Sequence, residues 1–142
     1  MIKIELKRLN EAFHMEAVND QGNVVHLDAS PDIGGDNKGM RPMQMLLAAA
    51  AGCSSIDIIN ILKKQKQPLK DIRVTVEGER EKDAIPSLFT DIHMHYKVYG
   101  DLNEEKVKRA ISLSLEKYCS VTKTLEKTAR VTYSYEIIKD NA

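Results

Sequence analysis

Tryptophan is absent from the 142 residues and aromatic side chains make up only 5% of them. The chain therefore has no stock of rings for stacking on bases. It also lacks an excess of either charge: lysine plus arginine number 21, aspartate plus glutamate 21, and the formal net charge is zero. Phosphate binding draws on a basic surplus, so no nucleic acid partner is expected. The same balance leaves little repulsion between copies, which permits self-association. Cysteine is scarce, with only Cys53 and Cys119, too few for a disulfide framework. The start of the chain does not resemble a signal peptide, and the expected compartment is a reducing cytoplasm, where paired cysteines are more often chemical than structural. No membrane span is expected: the longest apolar run stops at Ser54, and Asp57 and Asn60 follow.

What is present is 42% apolar and 30% charged residues, the balance of one globular domain spanning 1–142. Ile2, Ile4 and Leu6 alternate with Lys3, Glu5 and Lys7, which predicts a half-buried strand over 2–8. Two short strands are expected at 13–18 and 24–28, joined at Asn19-Asp20-Gln21-Gly22-Asn23 by the small polar residues of a turn. The glycine-rich stretch from Ser30 to Gly39 reads as a loop. Pro42 suits the first turn of a helix, and residues 42–64 are helix formers, apolar on nearly every side through Ile61. A helix without a polar stripe is a buried one, covered by the rest of the protein or by a second copy. Alternation resumes at 72–76 and 92–99, with the charged stretch Glu77 to Asp83 read as a connection between them. Asn103 is a good N-cap for an amphipathic helix over 104–118. A second short helix follows a break near Cys119-Ser120, and Val131, Tyr133, Tyr135 and Ile137 form a last strand. Strands grouped apart from helices give an α+β fold.

The two cysteines offer neither a CxxC redox motif nor the spacing of a zinc knuckle. On spacing alone both read as small buried hydrophobes. Their neighbours add to that: Gly52, Ser54 and Ser55 leave room around the Cys53 thiol, and Cys119 sits at a helix start, where free N–H groups favour a thiolate. A peroxide-reducing thiol needs a pocket, something to hold it ionised, and a second thiol to capture the sulfenic acid.

Pro42, then Met43-Gln44-Met45-Leu46 and a run of small residues into Gly52-Cys53-Ser54, resembles the cysteine helix of the OsmC/Ohr family. Cys119, after a helix with an acidic start and before Ser120-Val121, resembles that family's second cysteine motif, and the element order is similar over nearly the whole chain. The resemblance implies an OsmC-like fold with antiparallel sheets around a buried central cysteine helix, in an intertwined homodimer. It implies a thiol peroxidase that reduces organic hydroperoxides, needs no metal or organic cofactor, and is recycled by a dithiol such as a lipoylated protein. Cys53 takes the place of the attacking thiol and Cys119 that of the resolving one. The chain departs from the family where a glutamate usually follows the proline and pairs with an arginine. Here Met43 and Gln44 follow Pro42, the nearest arginine is Arg41, and the loop 31–39 offers only Lys38. Arg41 and Gln44 are thus the substitutes for the thiolate-holding pair.

Asp57, four residues after Cys53, shares its helix face and, if unpaired, opposes a thiolate; Lys117 and Lys123 are the cations near Cys119. His93 and His95 read as the solvent side of a half-buried strand, and His14 and His26 as isolated residues. The missing glutamate keeps a different class of function open: a dimeric pocket for an apolar or thiol-containing small molecule, with the cysteines as redox sensors. A structural stress protein without a ligand is the third reading.

Overall fold

The computed structural model describes residues 1–139. The chain divides into two compact units, Met1–Leu46 and a second beginning at Leu47.

The first unit is a three-stranded antiparallel meander of β1 (Glu5–Arg8), β2 (Met15–Val18) and β3 (Val24–Leu27). Leu6 lies opposite Ala17, and Ala17 opposite Val25, so one face of the sheet is apolar. The β2–β3 turn is held by the Asn19 side chain, whose Oδ1 accepts from the N–H groups of Gln21 at 3.1 Å and Asn23 at 2.8 Å. Gly22 supplies the positive φ of +85° that closes it. Residues 29–39 wrap around one carboxylate. Asp28, only 1% exposed, accepts from the N–H groups of Ala29 (2.7 Å), Asp36 (3.2 Å) and Lys38 (3.1 Å). Burial by itself pushes the Asp28 carboxyl up, but these three donors and the nearby His14 outweigh it and hold it below its ordinary value. Gly35 runs so close to the Ala29 carbonyl that no Cβ fits there. His14 and His26 are not isolated: Nε2 of His14, just before β2, and Nδ1 of His26, on β3, are 2.9 Å apart.

The second unit holds the core. Helix α1 (Pro42–Lys64) starts in the last residues of the first unit and has the bounds its sequence predicts. It is followed by the long antiparallel pair β4 (Asp71–Arg80) and β5 (Phe89–Tyr99). Then come α2 (Glu104–Leu113), a π-helical segment (Ser114–Tyr118), α3 (Ser120–Leu125) and β6 (Arg130–Ile138). Asn103 caps α2 as expected, its Oδ1 accepting from the Lys106 N–H at 3.0 Å. β4 runs on through Glu77 and Glu79, where a connection was expected. An edge strand can carry charges on its open side, and these pair in register with His93 and Asp91.

One expectation is corrected. The sheet β4-β5-β6 is mixed, not purely antiparallel, because β6 runs parallel to β5. The helices between them supply the long crossover that parallel strands need. Of the two covers expected for helix α1, its own chain supplies a part: Ala50, Ser54, Ile58 and Leu62 are buried, a single stripe at four-residue spacing. Ile56 stays 69% exposed and Ile59 43%. By length and composition α1 could cross a membrane, but its buried stripe packs on protein and carries the polar Ser54.

Candidate functional site

Helix α1 presents Ser54, Cys53 and Asp57 within little more than one turn. Ser54 is fully buried; its Oγ donates to the Ala50 carbonyl at 2.8 Å and accepts from the Tyr96 hydroxyl of β5 at 2.7 Å. That contact fixes the rotation of α1 against the sheet and so fixes where Cys53 points. Burial first, then the acidic groups Cys119 and Asp57, push the Tyr96 hydroxyl far above its ordinary range, so it is a permanent neutral donor.

Cys119 comes to the same place from the other side. After α2 the backbone opens into the π-helical segment, closed by the Cys119 N–H on the Ser114 carbonyl at 2.7 Å. Such wide turns concentrate at functional sites. Sequence periodicity missed it, because one inserted residue leaves the apolar spacing of 104–118 almost unchanged. Cys119 then leaves the helical region at φ −76°, ψ 102° and becomes the N-cap of α3, its Sγ 3.5 Å from the Thr122 N–H.

The result is a convergence of groups distant in sequence. The Sγ of Cys53, the Sγ of Cys119 and a carboxylate oxygen of Asp57 all lie within 4.8 Å of one another. Both thiols are free. Cys53 is partly exposed and Cys119 fully buried, so solvent reaches the first and not the second. The helix start was expected to favour a Cys119 thiolate. Burial wins instead and pushes the thiol up, with Cys53 adding to it against the opposing Thr122 hydrogen bond. Asp57 is held from behind by Ser114, whose Oγ donates to Oδ2 at 2.9 Å. A groove of about 290 Å³ opens beside Asp57, lined by Asn60, Ile61, Lys64, Leu113 and Tyr118 among others.

Arg41 and Gln44 have local work at the start of α1. Gln44 Oε1 accepts from the Arg41 N–H at 3.0 Å, the reach-back of a capping box. The Arg41 guanidinium donates to Asn37 Oδ1 at 2.7 Å and to the Gly39 carbonyl at 3.2 Å. Lys123 is paired with Glu126 at 3.0 Å, and Lys117 lies over the Tyr118 ring. Sequence reasoning weighed Asp57 only as an obstacle and overlooked Ser114 and Tyr96. The signal for Asp57 was its position four residues after Cys53; none marked Ser114, whose role depends on the π turn. His93 and His95 form a hydrogen-bonded row with Thr132, Ser134 and Glu136 across β5 and β6.

Residues 35–134 match the family model described as OsmC-like protein. The chain belongs to that family, and its fold is the OsmC-like fold. Protein YhfA of Escherichia coli (strain K12) is 48% identical over 103 residues, which cover 72% of this chain and 76% of that protein. Among solved structures, a hypothetical protein from Aquifex aeolicus VF5 aligns with a TM-score of 0.85 at 29% identity, covering 99% of this chain and 98% of its own. An organic hydroperoxide resistance protein OsmC from Legionella pneumophila aligns with a TM-score of 0.71 at 18% identity, covering 94% and 96%, a likeness of fold alone.

Proposed function

We propose that the protein is a thiol peroxidase for organic hydroperoxides, with Cys53 attacking and Cys119 resolving. The observation that carries this reading is the approach of the two sulfurs and the Asp57 carboxylate to within 4.8 Å. The difference in exposure supports the division of roles, since a substrate meets Cys53 first. The name of the Legionella pneumophila relative in fold points the same way.

In the first step Cys53 sulfur attacks the terminal peroxide oxygen and the O–O bond breaks. The thiol proton passes to Asp57 and from there to the departing alkoxide, giving an alcohol and a Cys53 sulfenic acid. In the second step Cys119 sulfur attacks the oxidised sulfur. Its own proton leaves with the hydroxide as water, and a 53–119 disulfide remains. An external dithiol, of the lipoyl type, exchanges with this disulfide and restores both thiols. In this reading Asp57 serves as the proton carrier in place of the arginine and glutamate pair. The site requires no cofactor, and the setting is a reducing cytoplasm.

A homodimer belongs to this reading. Within Met1–Leu46 the only buried residue is Asp28, while Ile4 and Leu6 are 57% exposed and Val25 44%. These side chains, with Leu27, Pro42 and Met45, line an apolar groove of about 380 Å³. An exposed apolar face of this kind marks an interaction surface, and a second copy covers it.

The test is consumption of cumene hydroperoxide with dihydrolipoamide. Wild type is expected to turn over, Cys53→Ser to fall to background, and Cys119→Ser to react once per chain and stop. Background rates in wild type overturn the reading. One specific observation favours a second reading, a redox sensor without turnover: the charged side chain that shares the space of the two sulfurs is a carboxylate, not a cation. Stoichiometric oxidation of wild type with no dithiol-supported turnover is the signature of that sensor.

A further inference from the structure

Two thiols and a carboxylate share this space. The Sγ atoms of Cys53 and Cys119 and a carboxylate oxygen of Asp57 lie within 4.8 Å of one another. Among the described residues no lysine, arginine or histidine comes within ion-pair distance of Asp57. Two thiols and a carboxylate with no cation beside them are a donor set for a soft divalent metal, once the thiols release their protons. A tetrahedral zinc ion has bonds of about 2.3 Å to sulfur and about 2.0–2.2 Å to oxygen, which puts neighbouring ligand atoms roughly 3.5–3.8 Å apart. None of the three separations exceeds 4.8 Å, at most about 1.3 Å beyond that spacing, and Cys53, partly exposed, has room to turn and close the difference.

The surroundings have the form that ligands need. Ser114 Oγ donates to Asp57 Oδ2 at 2.9 Å and steadies the carboxylate from outside the trio. The Thr122 N–H, 3.5 Å from Cys119 Sγ, does the same for the sulfur. On the open side Asp57 borders the groove of about 290 Å³, which admits water.

We propose that the reduced protein binds one thiophilic divalent cation, Zn²⁺ or its analogue Cd²⁺, through Cys53 Sγ, Cys119 Sγ and Asp57, with water in the fourth position. Each thiol gives its proton to solvent as its metal–sulfur bond forms, and no electron moves. The two lone pairs are then engaged, so the metal-bound protein is closed to disulfide formation. Binding needs only the reduced thiols and holds whether or not the hydroperoxide reading does.

The test is titration of the reduced, metal-free full chain with Cd²⁺, followed by the thiolate-to-cadmium absorption band in the ultraviolet and by equilibrium dialysis. Saturation at one Cd²⁺ per chain is expected, with the band lost in Cys53→Ser and in Cys119→Ser. Ser114→Ala is expected to weaken binding about tenfold or more, with circular dichroism confirming that each variant is folded. Wild type that is folded, has two titratable thiols and retains no Cd²⁺ overturns the proposal, as does unchanged binding in folded Cys53→Ser. Hydroperoxide turnover on the metal-free protein separates the two claims: turnover without Cd²⁺ binding refutes this site alone, and Cd²⁺ binding without oxidation refutes the peroxidase alone.

Discussion

In the proposed reaction Asp57 decides how the Cys53 thiol is activated. A carboxylate beside a thiol raises the cost of a standing negative charge on sulfur, yet it is the nearest acceptor for the proton that must leave. Asp57→Asn keeps the Ser114 hydrogen bond in shape and removes the acceptor. The single-turnover rate with cumene hydroperoxide is therefore expected to fall by roughly 10²-fold at neutral pH. It is then expected to recover as pH rises, because hydroxide replaces the missing acceptor. A flat loss at every pH would show that Asp57 only packs. The cysteines were legible in the sequence because their neighbours are small or lie at an element boundary. Their meeting was not, since nothing local encodes how α1 and the start of α3 face each other. The buried hydrogen bond from Tyr96 to Ser54 sets that facing. Arg41 and Gln44 were legible as polar groups beside Pro42, but their hydrogen bonds show them capping the helix and bracing the preceding loop.

At the scale of elements, legibility follows from local chemistry. Helix α1 was readable to the residue because Pro42 starts it and Pro68 forbids its continuation soon after Lys64. Asn103 was readable as a cap, and Asn103→Ala is expected to lower stability by about 1 kcal/mol in a thermal or urea melt. The parallel placement of β6 was not readable, because strand alternation carries no direction. Loop 29–39 was readable as a loop but not as a shell around Asp28. The Asp28 carboxyl is held below its ordinary value, so its contribution is present above the unfolded-state carboxylate range. It is lost as pH falls through the depressed native one. Hydrogen exchange at the Asp36 and Lys38 amides is accordingly expected to be protected at neutral pH and to speed up in acid. Asp28→Asn is expected to show the fast exchange already at neutral pH, and equal protection in both proteins would refute the carboxylate's role.

For the molecule as a whole, the distribution of apolar surface is the feature that a single chain leaves open. The buried hydrophobic side chains lie between Ala50 and Ala129, whereas Ile4, Leu6, Val25, Ile56 and Ile59 stay exposed. Zero net charge offers no repulsion to keep such surfaces apart. Sedimentation is expected to give twice the 16.0 kDa chain mass for wild type, and Ile56→Lys is expected to shift the protein toward monomer. A wild-type monomer at micromolar concentration would contradict the dimer. The periodicity of α1, apolar on all sides, foreshadowed a helix that one chain cannot cover, but it could not say which stripe the chain's own core takes.

The central claim is that the sulfurs of Cys53 and Cys119 act as one redox pair. Its most direct measurement is mass spectrometry of the metal-free protein after one equivalent of cumene hydroperoxide, with unreacted thiols alkylated. The account predicts one alcohol formed per chain, no alkylated cysteine, and a linked pair of peptides containing Cys53 and Cys119. Recovery of both cysteines alkylated, or of Cys53 as a stable oxyacid with Cys119 still free, would contradict it.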